Sequence, residues 1–268
     1  MKLRLIPALL LSVLLLLSAV LPAPVRAEDS DPDQVEEEIS LDAETEEESP
    51  GPAEPTARDA FIEDIIALGK ELYDKADGKY QRAHYKGDIY VCKNFTVHLF
   101  RQTRAKYRMA EYPDRELKIP NNLPEKKCRP YAYGYCWEEI AASDGNPFYE
   151  AAQFLYDKNL SKEENIELAR DFMKQVRKGD FFQMTGDYSG GKGAHSAIFM
   201  SDYDPETDSV RSLESNRAGK RIKGLRYGKV MYDYELDIDE WIGFFCRKKC
   251  GATLYRLRDD IIFAENDK

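Results

Sequence analysis

Hydrophobic side chains recur at helical spacing early in the folded part of the chain. Phe61, Ile65, Leu68 and Leu72 follow at intervals of four, three and four, with Ile66 and Tyr73 widening the stripe. The pattern predicts an amphipathic helix over 59–77, stopped at Asp77-Gly78. Cys92, Phe95, Leu99, Phe100, Thr103 and Tyr107 keep the same period, so a second helix opens at Cys92. Residues 108–148 are rich in Pro, Tyr and Asn and read as loops; a third helix is expected over 148–176, broken near Leu160-Ser161. From Gly179 the period changes. Aromatic, β-branched and apolar runs at 181–184, 194–203, 209–216, 228–235 and 252–258, separated by turn-forming clusters, predict strands. Helices first and strands afterwards imply an α+β domain with N-terminal helices packed on an antiparallel sheet. No internal repeat is present.

Charge divides the chain. Residues 28–58 hold thirteen Asp/Glu against the single Arg58, with four prolines and almost no large apolar side chains. Such a stretch cannot bury enough surface to offset its ordering entropy, so it reads as an acidic disordered linker ahead of a single domain at 59–268. That domain carries 35 Lys/Arg and 36 Asp/Glu, so it lacks the overall basic field that would gather nucleic acid. At the start, Lys2 and Arg4 precede an apolar run of fourteen residues from Ala8 to Leu21, followed by Pro22, Pro24 and Val25-Arg26-Ala27. This is the pattern of a secretory signal peptide over 1–27, cut before Glu28, which implies export and no stable membrane insertion afterwards. A retained anchor competes with it, because Leu5, Ile6 and Pro7 lengthen the run.

Five cysteines in an exported chain leave one thiol over. Cys128 with Cys136 and Cys246 with Cys250 are close in sequence, and local pairing within each couple is expected, although four cysteines allow three connectivities. The gaps of seven and three residues fit a zinc site poorly, and neither a metal nor a cofactor is expected. Cys92 stands alone. At a helix start the backbone N–H groups and the dipole favour the thiolate, the nucleophilic form; most lone cysteines are nonetheless buried hydrophobes.

A base decides between those readings. His98 lies on the same helix, about 240° around and about 9 Å along from Cys92 at ideal geometry, out of reach of the thiol. His84 falls in a polar loop. His195 opens a strand entered from the glycine-rich loop 189–193, where a scaffold can present a polar side chain. Asp204-Pro205-Glu206-Thr207-Asp208 is a strong turn signal, so the flanking runs form an antiparallel hairpin. Centring the turn between Pro205 and Glu206 sets Glu214 opposite Ala197 and Asn216 opposite His195. Glu214 and Asn216 share a face, and either can orient the imidazole as the third member of a catalytic group.

With Cys92 opening a helix, Gly179-Asp180 before a strand, His195 leading the next and Glu214-Ser215-Asn216 on its partner, the sequence resembles the papain-like bacterial cell-wall peptidases. Within that group it resembles the NlpC-type endopeptidases and the CHAP amidases. The resemblance covers 59–104 and 178–217; Glu-x-Asn is closer to CHAP, and Ala67-Leu68-Gly69 to NlpC. Val91 before and Lys93-Asn94 after the cysteine depart from the NlpC pattern of Asp before and Ser-Gly after, and 109–177 reads as an insertion without counterpart. The resemblance implies a monomeric cysteine peptidase or amidase with a papain-like fold. Cys92 would be the nucleophile, His195 the base, Glu214 or Asn216 the orienting residue, and peptidoglycan peptides the substrate.

The rival reading is a secreted binding module that keeps the fold without the chemistry, with Tyr131-Ala132-Tyr133-Gly134-Tyr135 as a contact surface. Gly186-Asp187-Tyr188-Ser189-Gly190-Gly191-Lys192 begins like a phosphate-binding loop, but Gly193 stands where Ser or Thr is required and a strand follows. Neither H-E-x-x-H nor G-x-S-x-G occurs.

Overall fold

A computed structural model of the chain describes residues 54–84, 87–119, 145–186 and 194–265. The segment read as a signal peptide, most of the stretch read as an acidic linker, Cys128, Cys136, the tyrosine segment and the glycine-rich loop lie outside the described residues. The first helix starts inside the stretch read as linker. The Thr56 side chain accepts the N–H of Asp59, and α1 runs Ala57–Ala76 until Asp77, at φ 49°, closes it in the left-handed region. Helix α2 spans Cys92–Thr103 and tightens into a 3₁₀ turn at Arg104–Lys106, shorter than the periodicity through Tyr107 suggests.

The strands are β1 (Gln81–Arg82), β2 (Tyr107–Met109), β3 (Phe148–Phe154), β4 (Phe181–Gly186), β5 (His195–Phe199), β6 (Ser209–Ile222), β7 (Leu225–Asp237), β8 (Cys250–Leu257) and β9 (Ile261–Phe263). Among the described residues seven of them form one antiparallel sheet in the order β1-β7-β6-β5-β4-β8-β3, and β2 pairs with β9 apart from it. The domain is α+β with an antiparallel sheet. Its strands alternate sides: Phe181, Ile198 and Leu213 pack with Phe61, Phe95 and Phe100 of α1 and α2 on one face. Phe182, Ala197 and Phe199 pack on the other with α3 (Lys162–Met173) and α4 (Ile238–Lys248).

Three expectations need correction. Residues 148–154 form a strand, and the helix begins only after Ser161, which makes a reciprocal capping box with Glu164. The misreading has a cause. A bulge between Glu150 and Ala152 shifts the register, so Phe148 enters one core and Phe154 the other, and the period-two signature is lost. Helix α4 falls where the periodicity reading placed no element. The Asp237 side chain accepts the N–H of Asp239 to start it, and Trp241, Ile242 and Phe245 are buried on one face.

The third concerns cysteines: Cys246 and Cys250 are buried and not joined by a disulfide. Cys246 lies in the last turn of its helix, Lys249 turns the chain at φ 51°, and Cys250 enters the ladder opposite Gly186. Strand β6 also runs beyond 216 to Ile222. It turns through Lys223 and Gly224, at φ 47° and 79°, and returns as β7.

Candidate active site

The β5–β6 ladder pairs Ala197 with Glu214, Ile198 with Leu213 and Phe199 with Ser212, which is the register expected from the turn. Glu214 shares the face of Ala197 and His195, and its Oε2 meets His195 Nε2 in a hydrogen bond between two buried side chains. The Ser212 hydroxyl is 3.4 Å from Glu214 Oε1, and Arg217 Nη1 lies 3.7 Å from the same oxygen. The Arg217 guanidinium stacks over the Trp241 ring at 4.2 Å, and that ring lies 6.3 Å from the imidazole.

Cys92 comes from the opposite layer. No side chain caps α2 at its N-cap residue Val91. The helix start is tied down by neighbours. The Ser215 hydroxyl donates to the Tyr90 carbonyl at 2.9 Å, Asn94 Nδ2 donates to the Asp88 carbonyl at 3.0 Å, and Val91 N–H donates to it at 3.1 Å. Thus β6 carries Glu214 toward His195 and, one residue on, anchors the loop that delivers Cys92. The Cys92 thiol and the His195 imidazole line the same cleft, and each shifts the ionisation of the other. Nε2 is directed at Glu214, so the ring nitrogen left for the sulfur is Nδ1.

Charge follows from these contacts. Burial pushes the Cys92 thiol up. The hydrogen bond and charge of His195, with the N–H groups of Ser196 and Lys93, outweigh that and leave it below the usual thiol value. Burial pulls His195 down, while the charge of Glu214, the bond with Cys92 and the bond with Glu214 carry it up to about 9. The two groups therefore favour thiolate beside imidazolium.

Asn216, the other orienting candidate, is not placed on the imidazole. Between Ser215 and Gly219 the β6–β7 register shifts, and Asn216 takes φ 71°. The bulge turns Asn216 and Arg217 out of the ladder into a cleft of about 340 Å³, lined also by Cys92, His195, Arg226 and Phe244. Asn216 Oδ1 is buried and accepts no hydrogen bond among the described residues. His84 accepts the Arg226 N–H at Nδ1, and His98 is held low by burial and then by Arg101. Asp180 is structural: its carboxylate receives Arg256 through Nε and Nη2, each at 2.8 Å, and the Arg177 N–H.

A larger cleft of about 550 Å³ lies elsewhere. It holds neither Cys nor His, and its charges pair, as Arg58 with Asp259 and Arg177 with Asp202. Among the described residues no group of His, Cys, Asp and Glu is arranged to hold a metal ion. Sequence reasoning missed Arg217, Trp241 and Arg226. Trp241 carried a usable signal, since Trp241, Ile242 and Phe245 after Asp237 have helical spacing; the other two depend on the bulge. Family models, curated proteins and solved structures give no match to this chain.

Proposed function

We propose that the chain is an exported, papain-like cysteine hydrolase that cleaves amide or peptide bonds, with peptidoglycan peptides as its substrate class. One observation carries the reading: the thiol at the start of α2 shares a cleft with an imidazole whose Nε2 is held by a buried carboxylate, and thiol and imidazole shift each other's ionisation. Cysteine acyl transfer requires that nucleophile, base and orienting group. The order of elements adds to it, since Cys92 heads a helix, His195 heads a strand and Glu214 lies on the neighbouring strand.

In this mechanism the Cys92 sulfur attacks the amide carbonyl carbon. The charge developing on oxygen is met by N–H groups at the α2 start, and Ser196 N–H supplies a donor beside the sulfur. His195 Nδ1 gives its proton to the departing amine as the C–N bond breaks, leaving a thioester. Water then attacks the thioester and loses a proton to His195. The C–S bond breaks, the acid product leaves and the starting pair returns. Glu214 keeps the ring oriented and balances its charge throughout.

Cys92→Ala and His195→Ala should each abolish hydrolysis of purified peptidoglycan fragments, followed by product mass, with the far-ultraviolet circular dichroism of the wild type retained. Turnover at the wild-type rate in either variant overturns the mechanism. Iodoacetamide should label Cys92 faster than free cysteine at neutral pH; an inert Cys92 would favour the binding-module reading.

A further inference from the structure

Beyond the bulge, β6 and β7 pair again from Gly219–Gly228 to Ile222–Leu225 and make a projecting arm. Residues 217–229 contain six Lys/Arg and no Asp or Glu. Two of these cations serve the arm's own packing: Lys220 and Lys229 lie 3.9 and 5.3 Å from the Tyr80 ring. The opposite face is different. Arg221 stands directly across from Arg226, on the face shared with Gly219 and Gly228. That face continues into the cleft, because a Cβ at Gly228 would lie 2.9 Å from Asn216 Oδ1, and Asn216, Arg217 and Arg226 all line the cavity around Cys92.

Like charges directly opposite on paired strands destabilise them. Among the described residues Arg221 and Arg226 make no ion pair, and the nearest carboxylate oxygen to Arg217, Glu214 Oε1 at 3.7 Å, belongs to the group that holds His195. No carboxylate is among the described residues lining the cleft. The guanidinium groups of Arg217 and Arg226 thus line the cleft around the nucleophile, with Arg221 across from Arg226 on the arm, and their forked donors suit carboxylate oxygens.

We propose that this arginine face makes the cleft selective for substrates bearing a carboxylate close to the scissile amide. Arg217 and Arg226 flank the reacting sulfur, and Arg221 extends the same field along the arm. The proposal deepens the hydrolase reading and rests on it.

Two small alkylating agents test it without a known substrate. Iodoacetate and iodoacetamide react alike: the Cys92 sulfur displaces iodide from a methylene carbon, a C–S bond forming as the C–I bond breaks. Only iodoacetate carries a carboxylate next to that carbon. The readout is the ratio of the two labelling rates at Cys92, normalised to the ratio for free cysteine and followed by mass spectrometry of the full chain. At about 0.01 M salt the normalised ratio should be about 10 or more, and at about 1 M it should collapse toward one. His195 contributes its own charge, so the arginines' share is read as a several-fold fall of the ratio in Arg221→Gln/Arg226→Gln. Both side chains are exposed, and each single variant should show part of the fall. A ratio near one at low salt, or one unmoved by the double substitution, overturns the proposal while leaving the hydrolase reading standing. Iodoacetamide labelling slower than that of free cysteine counts against the hydrolase reading itself.

Discussion

His195 is held between a sulfur and a carboxylate, and its two nitrogens do different work. Glu214 raises the imidazole to about 9, and the imidazolium in turn keeps Cys92 below the ordinary thiol range. In the proposed hydrolase the active form is the thiolate with imidazolium, which exists only between these two ionisations. Hydrolysis should therefore rise with pH through a midpoint below that of a free thiol and fall near pH 9, a bell whose limbs belong to the coupled pair. Glu214→Gln keeps the shape and removes the charge. The imidazolium then loses its main support, so the basic limb should move down and the maximum fall by about 10²-fold or more. A profile unchanged in both limbs would show that Glu214 is not the orienting group. Cys92, His195 and Glu214 were all legible in the sequence, because a lone cysteine, three histidines and one turn leave few combinations. The choice between Glu214 and Asn216 was not legible. Simple alternation places both on the imidazole, and only the bulge, with Asn216 at φ 71°, removes one.

At the scale of elements, the site depends on how helices seat against the sheet. Gly179 sits at φ 88°, and a Cβ there would lie 2.5 Å from Ile62 Cδ1 of α1. Gly179→Ala thus combines an unfavourable backbone with a clash in a packed core, and should destabilise by on the order of 1–3 kcal/mol in chemical denaturation. An unchanged midpoint would mean that α1 moves away at no cost. The next residue, Asp180, is buried, and burial raises its carboxyl despite Arg256 and the Arg177 N–H. Arg256→Ala leaves that carboxylate without its main partner, at an expected loss of about 3–5 kcal/mol. Asp180→Asn in the same background should recover part of it, because the uncompensated charge is then gone. The Gly179-Asp180 pair was visible in the sequence as a site marker, yet its role is to seat α1 against β4 and β5. Strand β3 shows the other limit: a single inserted residue erased the alternation on which strand recognition rests.

For the whole molecule, the antiparallel sheet is covered on both faces, α1 and α2 on one and α3 and α4 on the other. Cys92 arrives from one layer, while Trp241 of α4 backs His195 and Arg217 from the other. Helices-before-strands order foretold the first layer. The second rests on α4, which falls between two strong strand patterns. Charge composition likewise placed the domain boundary close to its observed position, but not on it. Thr56 caps α1, its carbonyl accepts the Ala60 N–H at 2.9 Å, and Arg58 reaches Asp259. A chain beginning at residue 54 should therefore unfold at the same temperature as the full chain. One beginning at residue 59 loses the cap, at about 1 kcal/mol, and an ion pair whose acid is largely exposed and contributes little. For a domain of this size that is a fall of about 2–4 °C, measurable by scanning calorimetry. If both truncations matched the full chain, the Thr56 cap would contribute nothing to stability. If the longer one already lost several degrees, the acidic segment would be contributing to the fold, and reading it as a spacer would fail.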